Sequence, residues 1–169
     1  MSRARRCPAP RALRGLALDP SEFVILSVLR LYVSSFTAPE RQHWLAGLTC
    51  AQRFFGEEAG PGAACAILAG VQALRQSRVS PLRITAPEGP GPARALTDHE
   101  RLFILSLRAM RQGQKTAAEG FALLLCEGND TGPLLRSLAK IAALSPPAQG
   151  AAKARPVRDA EALRPRAGP

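Results

Sequence analysis

The sequence predicts an all-α protein, on the basis of its composition, the period of its apolar residues and its helix-start signals. Hydrophobic residues make up 46% of the 169 residues but aromatic residues only 5%, so Leu, Ala, Ile and Val must form the core. Ala and Leu favour helices. Apolar residues recur at three- and four-residue steps in several segments, which is the period of an amphipathic helix. We therefore expect a six-helix bundle.

The first helix is predicted to begin after Asp19, because Glu22 follows three residues later, as in a capping box. Its apolar face comprises Ile25, Leu26, Leu29, Tyr32, Val33 and Phe36. Arg30 falls among the polar positions on the other side of this helix, where we expect solvent.

Thr37 and Glu40 form a second capping-box signal, which predicts a helix to about Phe55 and a stop at Gly56. The apolar face of this helix is expected to contain Trp44, Leu48, Ala51 and Phe55. A third helix is predicted over residues 61–78. It carries a stripe of small residues, Ala63, Ala66, Gly70 and Ala73. Small residues allow a neighbouring helix to approach closely.

Residues 79–96 contain four Pro and two Gly, which is typical of a linker, and Leu82 and Ile84 are expected to pack on the core. The second half then repeats the pattern. Capping-box signals at Thr97 and Thr116 predict helices over 98–112 and from 116 to about 127, and a last helix is predicted over 133–144.

The two halves can be aligned, which suggests an internal repeat. An offset of 78 residues relates Glu22 to Glu100 and Arg30 to Arg108. The prediction is therefore two related three-helix units, 18–78 and 97–145, packed as one domain. Chance similarity between Leu- and Ala-rich helices is the alternative.

The net charge of +10 lies mostly at the chain ends. Residues 1–14 carry +5 and residues 146–169 carry +3, so the central region is nearly neutral. We expect a disordered basic arm over 1–17 and a disordered tail over 146–169. Such ends suit an anionic partner. Because 20 of the 23 basic residues are Arg, a GC-rich coding sequence is the favoured explanation of this basicity, ahead of an anionic partner. We expect the protein to be bacterial.

The sequence contains no motif of a hydrolase, nucleotide-binding protein or metalloprotease. Four dispersed cysteines lack zinc-site spacing, and we expect them to be small buried hydrophobes. A metal site of His43, Cys50 and Cys65 is disfavoured for the same reason, and both histidines are expected to be exposed. We therefore predict no catalytic, cofactor-binding or metal-ligating residue.

One candidate site does emerge from the basic residues. Four cationic side chains fall close to one face of the fourth helix and could contact the phosphates of a nucleic acid: Arg101, Arg108, Arg111 and Lys115. Residues 116–144 also have helix–turn–helix proportions. Against this reading, Glu127 and Asn129 occupy turn positions that are normally apolar, and the would-be recognition helix is mostly apolar.

These observations favour a non-enzymatic, cytoplasmic protein that acts through a protein partner or as a homodimer. A nucleic-acid-associated regulator is the alternative. No membrane association is expected, because the longest apolar run, residues 63–71, is much shorter than the roughly 20 residues of a membrane-spanning helix.

Overall fold

A computed structural model describes residues 16–87 and 96–145, and over these residues the protein is all helical, as predicted. Its five α-helices are α1 (Pro20–Thr37), α2 (His43–Ser77), α3 (Asp98–Arg111), α4 (Lys115–Leu125) and α5 (Gly132–Leu144). A 3₁₀ turn, Pro39–Arg41, links α1 to α2. The disorder predicted for the arm and tail falls on residues outside the described ranges, apart from residues 16 and 17.

Two of the four predicted capping boxes are confirmed, and they open α1 and α3 in the same way. The Asp19 carboxylate accepts the Glu22 N–H at 2.7 Å, and the Glu22 carboxylate accepts the Asp19 N–H at 3.0 Å. In α3, the Thr97 hydroxyl accepts the Glu100 N–H at 3.2 Å, and Glu100 accepts the Thr97 N–H at 2.8 Å. Each box satisfies two N–H groups that the helix itself leaves unpaired.

The other two predicted boxes are wrong. Thr37 is the last residue of α1, and α2 begins only after Gln42, which has a left-handed backbone with φ of 53°. Thr116 lies inside α4, which begins at Lys115 without a side-chain cap. A turn through Gly113, at φ of 71°, sets the start of α4, so the local Thr-x-x-Glu signal does not decide it.

The predicted stop at Gly56 is confirmed, because the backbone leaves the helical conformation there. The predicted second and third helices nevertheless run on as the two arms of one element, α2, so the described residues contain five α-helical elements and not the expected six. Gly56 has φ of 85° and ψ of 171°, a conformation open mainly to glycine. Pro61 follows five residues after this break and has no N–H to donate to the helix. The chain also turns tightly here, since a Cβ added at Gly60 would lie 2.5 Å from Gln52 Cα.

One core joins all five helices, with α1 packed on α2, α2 on α5, and α3 on both α4 and α5. Its largest fully buried side chains are Phe103, Ile25, Leu26, Leu29, Ile67, Leu74, Ile104, Leu107, Leu125, Leu134, Leu138 and Ile141. Leu82 and Ile84 pack against this core, as predicted. Trp44 does not, because its side chain is 51% exposed.

The stripe of small residues on α2 receives α5. A Cβ at Gly70 would lie 2.7 Å from the Ser137 hydroxyl, and that hydroxyl donates to the Ala66 carbonyl at 2.6 Å. The close approach is therefore accompanied by a buried hydrogen bond between the two helices. None of the helices in the described ranges has the length and hydropathy needed to cross a membrane.

Two glycine substitutions, one at the tight turn within α2 and one on the open side of α4, should change stability in opposite directions. Gly60→Ala should destabilise the protein by about 2 kcal/mol or more, because the new methyl group meets the Gln52 backbone. Gly120→Ala should stabilise it by about 0.5–1 kcal/mol, since Gly120 lies inside α4 with open space around it. Urea denaturation measures both. An unchanged free energy of unfolding for Gly60→Ala would show that the two arms of α2 are not this close.

Candidate functional site

A buried salt bridge connects α1 to α3. The Arg30 guanidinium donates to both oxygens of Glu100, with Nε–Oε1 at 2.7 Å and Nη2–Oε2 at 3.1 Å. Arg30 is 6% exposed and Glu100 only 1%. The expectation that Arg30 faces solvent is therefore wrong. Its carboxylate partner, Glu100, lies 70 residues away in the sequence, so the residue pattern of α1 alone cannot predict this contact.

A second salt bridge runs the other way between the same two helices. Arg108 of α3 donates to Glu22 of α1, with Nε–Oε1 at 2.6 Å. Arg111 extends the cluster, donating to Asp19 at 3.0 Å and to the Ser145 hydroxyl at 2.8 Å. Two of the four predicted anion-contacting side chains are thus held by carboxylates of the fold.

The other two predicted residues differ from each other. Arg101 is half-buried on α3, whereas Lys115 is exposed at the start of α4. The geometry therefore does not give four equivalent cations on one surface, and contact of this face with nucleic acid stays a prediction.

Glu100, which is buried, and Asp19, which is half-buried, remain ionised because the interactions with their carboxylates outweigh desolvation. Burial by itself would raise the pKa of Glu100, but the Arg30 side chain and the backbone N–H groups of Thr97 and Thr85 lower it below its usual value. Burial also opposes ionisation of Asp19, whose pKa is lowered overall by Ser21, by the N–H of Glu22 and by Arg111.

A second polar cluster joins the end of α2 to the turn between α4 and α5. The Glu127 carboxylate accepts the Val79 N–H at 2.8 Å and the Arg78 guanidinium at 2.9 Å, and the Ser80 hydroxyl donates to it as well. The Ser80 hydroxyl and these N–H groups lower the pKa of Glu127 to about 2. In the same turn, Asn129 donates to the Ser77 carbonyl at 2.7 Å. Glu127 and Asn129, the polar turn residues that argued against a helix–turn–helix, thus connect this turn to the end of α2.

This cluster contains a serine, a histidine and a carboxylate, but it is not arranged for nucleophilic catalysis. The Ser80 hydroxyl donates a hydrogen bond to the Glu127 carboxylate. The His99 ring is half-buried, contrary to expectation, and its Nδ1 accepts the Arg83 N–H at 2.8 Å. A Ser–His nucleophile pair requires the serine hydroxyl to donate to the histidine, and here the Ser80 hydroxyl donates to Glu127 while His99 contacts Arg83 and Arg78.

The cysteines and histidines are dispersed. Cys126 is buried as predicted, Cys50 is half-buried, and Cys65 is exposed, so the prediction is wrong for Cys65. Burial raises the pKa of Cys50 and Cys126, which keeps both as thiols at neutral pH. His43 is buried and not exposed. Within the described ranges no three His, Cys, Asp or Glu side chains are grouped to bind a metal ion.

The surface between α1 and the first part of α2 forms a groove that sequence reasoning missed. One part, of about 680 Å³, is lined by Val24, Arg41, Gln42, Leu45, Ala46, Thr49, Cys50, Arg53 and Phe54. An adjoining part of about 740 Å³ is lined by residues 16–20, Phe23, Val24 and Phe54. The two parts share Val24 and Phe54, and we call the whole surface the α1–α2 groove.

Large apolar side chains are exposed in the α1–α2 groove. Phe23 is 46%, Leu45 45% and Phe54 43% exposed. The Phe54 ring packs edge-on against Phe55, with ring centroids 4.9 Å apart, and Phe55 in turn packs on the core. Phe54 is therefore supported from beneath while it remains accessible. The sequence signal for this exposed ring is the pair of adjacent Phe residues, because only one of the two can face the core on a helix.

A second groove, between α2 and α5, is built differently. It has a volume of about 920 Å³ and is lined mainly by small residues such as Gly62, Ala66 and Ala69. Leu144 is the one large aliphatic side chain among its lining residues. The α1–α2 groove is thus the better candidate for binding, since interface energy concentrates in a few large anchoring side chains.

Comparison of the chain with protein-family profiles, with curated protein sequences and with solved structures finds no match.

The lowered pKa values predict a specific loss of stability in acid. Glu100 and Asp19 titrate lower in the folded state, so their stabilisation is present above the unfolded pKa and is lost as pH falls through the folded pKa. The free energy of unfolding should therefore decline as pH drops below about 4.5, the ordinary Glu value. Urea titrations between pH 7 and pH 3 measure this decline.

The matched variants separate Glu100 from the other acids. Glu100→Gln should be less stable at pH 7 and should lose less additional stability in acid, because the titrating carboxylate is gone. Glu119→Gln, at an exposed position of α4, should follow the wild-type profile. Identical acid slopes for wild type and Glu100→Gln would contradict the assignment.

Proposed function

We propose that this protein is a non-enzymatic interaction module that presents the α1–α2 groove to a protein partner. The observation that carries the proposal is the joint exposure of Phe23, Leu45 and Phe54 along one groove. Monomeric proteins rarely leave several large apolar side chains exposed in one contiguous patch unless the patch binds something.

Burial of the three exposed side chains would supply only part of the binding free energy. Fully burying a Leu or Phe side chain is worth about 1.5–3 kcal/mol, and each of these three is already about half-buried. Covering all three would therefore supply about 3 kcal/mol. Contacts at the groove rim must provide the rest of the binding free energy.

Nucleic-acid association is the weaker proposal. Arg108 and Arg111 are engaged by Glu22 and Asp19, so phosphates would have to compete with salt bridges inside the fold. A partner for the α1–α2 groove needs no such exchange.

We also propose that the two halves of the chain descend from one three-helix unit. The offset of 78 residues that relates Glu22 to Glu100 also relates Arg30 to Arg108. The two salt bridges therefore exchange equivalent partners, as in an isologous contact about a two-fold axis. The matching capping boxes of α1 and α3 support the same interpretation.

A photo-crosslinking amino acid at position 45 tests the groove in living cells. We expect crosslinks from position 45 to a discrete protein, identified by mass spectrometry, and their loss when Phe54→Ser is added. Crosslinks to a second copy of the chain, supported by light scattering, would identify a homodimer instead.

Position 124 provides the control, because Leu124 of α4 is 66% exposed but lies outside the groove. Equal crosslinking from positions 45 and 124, or crosslinks at position 45 that survive Phe54→Ser, would contradict the proposal.

A further inference from the structure

Residues 80–85 form an extended segment that lies against the start of α3, and we call this segment the strap. The Arg83 N–H of the strap donates to Nδ1 of His99 at 2.8 Å. The Thr97 hydroxyl donates to the Arg83 carbonyl at 2.8 Å, and the Thr85 N–H donates to Glu100 at 2.9 Å. Side chains at the start of α3 thus hold the backbone of the strap, and one of them is a histidine.

The strap covers apolar side chains of the core. Leu82 and Ile84 pack on the core, whereas Arg83 between them is exposed, as expected for an extended chain whose successive side chains point to opposite sides. The two apolar side chains line a small pocket together with three buried residues of α1, α2 and α3: Leu29, Leu74 and Phe103. Release of the strap would therefore expose part of the core.

The hydrogen bond to Nδ1 determines how the His99 ring can be protonated. A neutral imidazole has one N–H and one acceptor nitrogen. Because Nδ1 accepts the Arg83 N–H, the neutral ring carries its hydrogen on Nε2. A second proton must bind to Nδ1, where it would face the Arg83 N–H. Two donors would then oppose each other over 2.8 Å, and the bond that holds the strap would be lost.

Arg78, at the end of α2, makes this protonation still less favourable. Its Nη2 lies 3.3 Å from Nε2 of His99. The Arg78 guanidinium is fixed in place, because it also donates to the Leu125 carbonyl and, at 2.9 Å, to the Glu127 carboxylate. Protonation would therefore place two cations side by side.

The surroundings of His99 oppose its positive charge on balance. Burial lowers the pKa of His99 most, followed by Arg78 and by Arg83 of the strap. Asp98 on α3 and Glu127 in the turn after α4 act in the other direction but do not offset these effects. Because the freed ring binds a proton more readily than the bound ring, acid favours release of the strap as pH falls below the ordinary His value of 6.5.

We propose that His99 is a pH-sensitive latch, which holds the strap on α3 while its ring is neutral and releases the strap when its ring is protonated. Glu127 accepts the N–H groups of Val79 and Ser80 and has a pKa of about 2, so mild acid leaves that end of the strap attached. Neither His99 nor the strap lines the α1–α2 groove, so this latch does not depend on the proposed function.

Residue-resolved amide hydrogen exchange on the full chain tests the latch, with each rate divided by the intrinsic rate at the same pH. Between about pH 7.5 and pH 5.5, the opening equilibrium constant of the Arg83 amide should rise several-fold, up to the limit of about tenfold for uptake of one proton with an ordinary pKa of 6.5. The Arg83 amide should also open at a lower free energy than that of Leu107, which is fully buried in α3. Nitrogen NMR of the His99 ring should place the hydrogen of the neutral ring on Nε2.

His99→Asn is the decisive variant, since its side-chain oxygen can accept the Arg83 N–H but does not titrate. The rise in the Arg83 opening constant should disappear in this variant and persist in the matched control Asp98→Asn, which changes an exposed neighbour. A wild-type constant that does not change with pH, an equal rise in His99→Asn, or a neutral ring with its hydrogen on Nδ1 would overturn the proposal. So would equal opening free energies for Arg83 and Leu107, because the strap would then open only when the whole protein unfolds.

Discussion

Two salt bridges cross between α1 and α3 and join the two halves of the protein, beside the packing of α2 on α5. Arg30 binds Glu100, and Arg108 binds Glu22. Each glutamate is also the fourth residue of a capping box, so the same carboxylate closes its own helix start and joins the opposite helix. Removal of one partner from such a buried pair typically costs about 3–5 kcal/mol, because the remaining charge is left in a poorly solvated place.

The same constraint orients the groove. Successive helical residues point about 100° apart, so burying Glu22 against α3 turns Phe23 and Val24 toward the opposite side of α1. There they lie beside the side of α2 that faces away from the core. Ala51, which is fully buried, marks the core-facing side of α2. Phe23 is therefore exposed, whereas Val24 is half-buried and packs against the core while it also lines the groove. The salt bridge of Glu22 thus lies on one side of α1, and the α1–α2 groove lies on the other.

Sequence patterns predicted the helices better than their boundaries or contacts. Apolar spacing correctly predicted α1 and α3. The two capping boxes at their starts are confirmed, and in each of them an arginine of the other helix also binds the glutamate. The Thr116 signal failed because the Gly113 turn determines where α4 starts. The repeat alignment had already paired Glu22 with Glu100, yet it could not show that each binds the other half's arginine. Apolar spacing correctly placed Phe55 on the core-facing side of α2, but it could not show that the exposed Phe54 lines one groove with Phe23 of another helix.

The central claim is that the crossed salt bridges hold α1 to α3, and a double-mutant cycle on Arg30 and Glu100 tests it most directly. The free energy of unfolding is measured for wild type, Arg30→Met, Glu100→Gln and the double variant. We predict a coupling energy of about 2 kcal/mol or more, since the first substitution already removes the contact that the second would break. Additive effects, with a coupling energy below about 0.5 kcal/mol, would contradict the account.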